Sequence, residues 1–170
     1  MKRRNFLKLA LSTVIATQIP TKVFSEAPSP VIAVAEGTDY ASATRKVISA
    51  VGGMRSFVRP GNTVVVKPNM GWDRKPEYAA TTHPDVVKAI VEECLAAGAK
   101  KVKVFDNTCN DARRSYENCG IPGALKGMKN VEVRFAEDDR FKKTAINGKF
   151  LKEWALYGDV LSADVFINVP

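Results

Sequence analysis

The sequence predicts an α/β fold, a mostly parallel sheet with flanking helices and one β-hairpin, incomplete at its C-terminal end. Three observations predict it. Short β-branched runs, such as Thr63-Val64-Val65-Val66, alternate with stretches of helical period. The runs are continuously apolar, as in parallel strands covered on both faces. Glycine and proline punctuate the joints between them.

The first 25 residues read as an export signal of the twin-arginine type. Lys2-Arg3-Arg4-Asn5-Phe6-Leu7-Lys8 is a basic start with adjacent arginines, and Leu9 to Ile19 is a modest apolar run. As a helix that run spans about 16 Å at 1.5 Å per residue, half of a ~30 Å hydrocarbon core. It is too short for a permanent anchor and fits a removable signal, with cleavage expected after Ser25. Residues 26–30 form a Pro-containing linker, and residues 31–170 form the α/β domain.

Within that domain each element has a local reason. Val31 to Val34 is an apolar run expected as a first strand. Asp39 to Val51 places Ala43, Val47, Ile48 and Val51 on one helical side, and Gly52-Gly53 ends it. Pro60-Gly61-Asn62 is a turn into the strand at Thr63. Thr82-His83-Pro84-Asp85 resembles a capping box, with Pro84 in the first turn. Val87, Ile90, Val91, Cys94 and Leu95 follow at helical spacing, and Gly98 is the stop. Lys101 to Phe105 and Val131 to Phe135 are further strands. Asn147-Gly148 predicts a two-residue hairpin turn between Phe141–Ile146 and Lys149–Trp154. Asp164 to Val169 is a last apolar strand, expected to need a covering element beyond Pro170.

Composition narrows the partners. The chain carries 26 Lys+Arg against 18 Asp+Glu. Five of those bases (Lys2, Arg3, Arg4, Lys8, Lys22) precede the expected cut and no acid does, which leaves 21 against 18 and a net of +3. With no basic stripe interleaved with aromatics, nucleic acid is excluded as the partner. Cys94, Cys109 and Cys119 are an odd number without C-x-x-C spacing, so neither a disulfide framework nor a cluster-binding set is indicated. Outside the signal no apolar run is long enough to span a membrane, so no stable membrane anchor is expected.

Ligands of open α/β sheets gather at the carboxyl ends of the strands, where helix N-termini also point. Three stretches land there: Lys67-Pro68-Asn69, Asp106 to Asp111, and Asn168-Val169-Pro170. Thr82 and His83, at a helix start, face the same rim. Lys67, Asn69, Thr82, His83, Asp106 and Asn107 are therefore the expected ligand-binding residues. Asp106, Cys109 and Asp111 are the expected metal ligands, with pairing to Cys119 after export, or neither role, as the alternatives for Cys109. The structural alternative stands beside this: Pro68-Asn69 as a turn, His83 and Asp111 as caps, Asp106-Asn107 as a strand exit. On the functional reading, Asn69→Ala and Asp106→Ala change stability by less than about 1 kcal/mol while weakening binding.

At these residues the sequence resembles the domain of unknown function 362 family. The resemblance is carried, in order, by Val64-Val65-Val66-Lys67-Pro68-Asn69, Thr81-Thr82-His83-Pro84, Ala97-Gly98-Ala99-Lys100, the strand into Asp106, and Asp164 to Pro170. Gly71-Trp72-Asp73-Arg74 and Asp106-Asn107-Thr108-Cys109-Asn110-Asp111 resemble a twin-arginine-exported subgroup. The resemblance implies an α/β fold and, in some relatives, an attached iron–sulfur module; it implies no reaction. In the family the Asn-Val-Pro segment runs on into a Lys- and His-containing motif and a Lys-Asn stretch, and this chain stops before both.

These readings define the expectation. The protein leaves the cytoplasm through the twin-arginine export machinery and works in the periplasm or another extracytoplasmic space. There it binds a small anionic or metal-containing ligand at the sheet rim, as an enzyme in the leading specific version. A metal or iron–sulfur cluster belongs to the full-length protein on this reading. The rival is a non-catalytic partner or assembly factor of an exported iron–sulfur protein.

Overall fold

A computed structural model describes residues 32–170; the expected signal and linker lie outside this range. The chain forms a mixed α/β fold. Four parallel strands make the main sheet in the order β3-β2-β1-β6: β1 (Thr63–Pro68), β2 (Lys101–Val104), β3 (Val131–Val133) and β6 (Val165–Val169). A separate antiparallel pair is formed by β4 (Phe141–Ala145) and β5 (Glu153–Tyr157). The helices are α1 (Tyr40–Ala50), α2 (Pro84–Ala96), α3 (Ala112–Asn118), α4 (Ile121–Leu125) and α5 (Gly158–Ser162).

β1 is central because its three valines can be buried on both faces. Val64, Val65 and Val66 are all fully buried. Strand alternation sends Val64 and Val66, with Val102 and Val104 of β2, into a core with Val87, Val91 and Cys94 of α2. Val65 and Phe105 face the other way and meet Tyr157 and Phe141 of the hairpin. The sheet is thus covered by helices on one side and by the hairpin with α5 on the other. Complete burial of a valine is worth about 1.5–3 kcal/mol, so this strand is the main anchor of the fold.

The cap of α2 shows how sequence sets a boundary. His83 takes extended backbone angles and its Nδ1 accepts the Asp85 N–H at 3.2 Å, while Pro84 occupies the first helical position. The cap is therefore His83 and not the Thr82 side chain of a capping box. At the other end Gly98 adopts φ 101°, where a Cβ would stand 3.0 Å from Pro60 Cα.

Two expectations change. No strand forms at 32–34, and Val31 lies outside the described residues. β6 occupies the place beside β1, and Ile32 and Val34 are left 86% and 83% exposed, with neither a ladder nor a core to join. The hairpin exists, but its second strand is displaced to Glu153–Tyr157. Asn147 does take the left-handed conformation at φ 56°, yet Ala145 pairs with Glu153, so residues 146–152 form a longer loop. Phe141 opposite Tyr157 packs into the second core, and that burial outweighs the turn preference of Asn-Gly in setting the register.

Candidate functional site

The carboxyl ends of β1, β2 and β6 converge as the topology requires. Their polar groups are bound to one another. Thr82 Oγ1 accepts the Asn69 N–H at 2.8 Å and donates to Val169 O at 2.7 Å. One hydroxyl thus ties the ends of β1 and β6 to the start of α2. Asn69 returns the contact, with its carbonyl accepting the Thr82 N–H at 3.0 Å. Its side chain closes the loop that follows, accepting from Gly71 N at 3.1 Å and donating to Ala80 O at 3.4 Å.

Asp106 is the second anchor. Its side chain is 6% exposed, and Oδ1 lies 2.6 Å from Lys67 Nζ. Oδ2 accepts the Met70 N–H at 2.8 Å. The Asp106 backbone is held in turn by Tyr116 of α3, whose hydroxyl accepts the Asp106 N–H at 2.8 Å. Burial pushes the Tyr116 phenol up from its ordinary value, so it remains a neutral hydroxyl.

The loops leaving β1 and β2 are joined at Gly71. Its carbonyl accepts the Cys109 N–H at 2.8 Å. A Cβ added to Gly71 would lie 3.4 Å from Asn69 Oδ1, 3.7 Å from Cys109 Sγ and 3.9 Å from Asp106 Oδ2. Three functional groups named from the sequence therefore surround Gly71 at ordinary van der Waals distance from where a Cβ would stand.

Of the other expected residues, His83, Asn107 and Asp111 sit apart from this centre, and Cys109 lies at its edge. His83 caps α2, with its ring 4.3 Å from that of Tyr40. Asn107 is exposed. Asp111 caps α3 by accepting the Arg114 N–H at 3.0 Å. Cys109 is exposed and free. Both oxygens of Asp106 already have partners. Among the described residues no three His, Cys, Asp or Glu side chains gather as a metal-ligand set, so Asp106, Cys109 and Asp111 do not converge as one.

Beside Gly71 the two loops part to form a cleft of about 400 Å3, lined by Trp72, Asp73, Arg74, Ala80, Asn110, Asp111 and Arg114. A second recess of about 470 Å3 shares Asp73, Arg74 and Arg114 and adds Lys75, Tyr78 and Asn118. Asp73 is the fixed point between them. Its side chain is 13% exposed, paired with Arg114 Nη2 at 2.7 Å, and it also accepts from Asn118 Nδ2. Among the described residues the Arg74 guanidinium bonds only to the neighbouring Asp73 carbonyl, at 2.8 Å. Arg114 is 70% exposed, so most of its five donors face solvent. The lining of the two recesses carries three cations, Arg74, Lys75 and Arg114, against Asp73 and Asp111.

The sequence reading missed Trp72, Arg74, Arg114 and Tyr116. A signal existed, because Gly71-Trp72-Asp73-Arg74 directly follows the β1 exit. Arg114 lies one turn into a helix that starts at the β2 exit. Both loops were placed at the rim, but only the structure shows that they enclose a recess whose lining includes two guanidinium groups.

Over 135 residues, 79% of the chain, the sequence is 29% identical to the thylakoid-associated protein sll1697 of Synechocystis sp.. The chain spans 41% of that relative's length. No solved structure matches significantly. Residues 64–170, which contain the whole of the rim and cleft, match the family described as Domain of unknown function (DUF362). The chain belongs to that family.

Proposed function

We propose that this protein is exported by the twin-arginine route and binds a small anionic ligand in the cleft between the β1 and β2 exit loops. The observation that carries the binding reading is the pair Arg74 and Arg114, which line a recess of ligand size with most of their donors unpaired among the described residues. Trp72, 48% exposed on the same lining, offers an apolar face to an organic portion of the ligand. Lys67 enters the reading through its ion pair with Asp106. Its ammonium is spent on Asp106, so it stiffens the floor of the rim and adds little free charge.

Export rests on the ordered basic, apolar and small residues of the first 25 positions. The thylakoid association of the Synechocystis relative is compatible with a place outside the cytoplasm or at a membrane. Two experiments test the proposal. Replacing Arg3 and Arg4 with lysine leaves the precursor in the cytoplasm, because lysine does not reproduce a paired guanidinium; efficient export of that variant contradicts the route. A thermal-shift panel of phosphate, pyrophosphate and citrate at constant ionic strength then tests the cleft. At least one raises the melting temperature of wild type, and less so for Arg74→Gln. No response to any of them removes the binding reading.

A further inference from the structure

The free end of the β4–β5 hairpin carries four exposed apolar side chains: Phe150 at 90%, Trp154 at 58%, Leu151 at 47% and Ile146 at 42% exposure. The opposite end is firmly held, since Phe141 and Tyr157 pack with Phe105 under the main sheet. Four residue steps separate Phe141 from Ala145, so the loop stands about 14 Å beyond that anchor. The loop closes on itself, with Ile146 N and Asn147 N both donating to Lys152 O and Gly148 N to Leu151 O. It therefore presents Phe150 outward from a defined turn.

Charge identifies what would cover it. Lys142, Lys143, Lys149 and Lys152 are all exposed on this hairpin, and Glu153 is its one acid, for a net of +3. From residue 26 onward the rest of the chain has 17 basic and 17 acidic residues. The whole positive excess of that part is thus gathered on one hairpin, with Lys149 and Lys152 in its apolar tip and Lys142 and Lys143 on the strand that leads to it. Aromatic and aliphatic groups at the end, with lysines set to reach sideways on long stems, match the headgroup zone of an anionic membrane. An acidic protein would meet the same charge but would not require the apolar groups to project as a tip.

We infer that the β4–β5 hairpin docks the protein peripherally on an anionic lipid surface, with Phe150, Leu151 and Trp154 entering the interface and Lys149 and Lys152 on the headgroups. This holds independently of the cleft.

The test is cosedimentation of purified protein with vesicles of phosphatidylcholine alone or with phosphatidylglycerol at three parts in ten, every variant in the same length of chain. The wild type binds the anionic vesicles in preference to the neutral ones, and added salt weakens that binding. Lys149→Gln with Lys152→Gln lowers affinity about 25-fold, at about five-fold per lysine. Phe150→Ser with Leu151→Ser lowers it at least ~10-fold with an unchanged far-ultraviolet spectrum, because both side chains are exposed in the fold. Brominated lipid quenches Trp154 fluorescence in wild type, read against a Trp72→Phe background. Equal binding to neutral vesicles, binding that survives both double variants, or an unquenched Trp154 overturns the inference. So does a lysine-dependent affinity for nucleic acid exceeding that for the vesicles.

Discussion

Lys67 Nζ and Asp106 Oδ1, 2.6 Å apart, join the carboxyl ends of two adjacent parallel strands. The pair is asymmetric: Lys67 reaches water, whereas Asp106 is buried and also holds the Met70 N–H. Loss of the carboxylate strands a backbone donor and a lysine together. Asp106→Ala is therefore expected to cost about 2–4 kcal/mol of stability, against the loss of less than about 1 kcal/mol anticipated from sequence position. Urea unfolding of wild type and variant checks it, and Asp106→Asn, which keeps an acceptor for Met70 N, falls between them.

Tyr116 extends the same anchor. Its hydroxyl accepts from Asp106 N and lies 2.9 Å from Asp106 O and 2.8 Å from Arg134 O, with one hydrogen to give. Tyr116→Phe keeps the ring packed against Phe135 but leaves the buried Asp106 N–H without its acceptor. A loss of about 1–3 kcal/mol is expected. Equal midpoints in a denaturant titration would show that water replaces the hydroxyl.

The three cysteines should separate by chemistry. Burial, with Glu93 adding a smaller effect, pushes the Cys94 thiol up to about 12, and burial also raises Cys119. Cys109 is exposed. A maleimide at pH 8 is expected to modify Cys109 alone in the native protein, detected by mass spectrometry. Folding favours the protonated Cys94, so its contribution is complete below its ordinary value of 9.0 and is lost as pH rises from there towards 12. The stability advantage of wild type over Cys94→Ala should shrink across that window, and an advantage that grows with pH would contradict the burial.

Glycines at two joints have opposite tolerances. Gly98 needs its left-handed φ and touches Pro60, so Gly98→Ala should cost more than about 1 kcal/mol. Gly71→Ala meets only ordinary contacts and should leave the melting temperature nearly unchanged.

The pattern of these effects explains what could be read before any coordinates. The core was legible because valines at β1 and the stripe of α2 follow simple periods, and Gly98 and Pro84 mark boundaries by backbone chemistry. The rim was legible as a place, since parallel strands deliver Lys67, Asn69 and Asp106 to one edge. What each residue does there was not legible. Whether Asp106 faces a ligand or the Met70 N–H depends on the path of the 70–81 loop, and no local period encodes that path. The hairpin register went astray for a related reason. Asn147-Gly148 is a local signal, whereas the Phe141–Tyr157 pair that sets the strands is recognised only once Phe105 is beneath it.

The most direct measurement of the central claim is a calorimetric titration of inorganic pyrophosphate into wild type, Arg74→Gln and Arg114→Gln. Arg74 has no ion pair among the described residues, so its substitution should leave the melting temperature within the ordinary range for surface changes, about 0.5 kcal/mol in stability. The account predicts binding to wild type that weakens with salt and drops about ten-fold or more in each variant. Pyrophosphate binding of equal strength in all three proteins, or none in wild type, would contradict an anion site between Arg74 and Arg114.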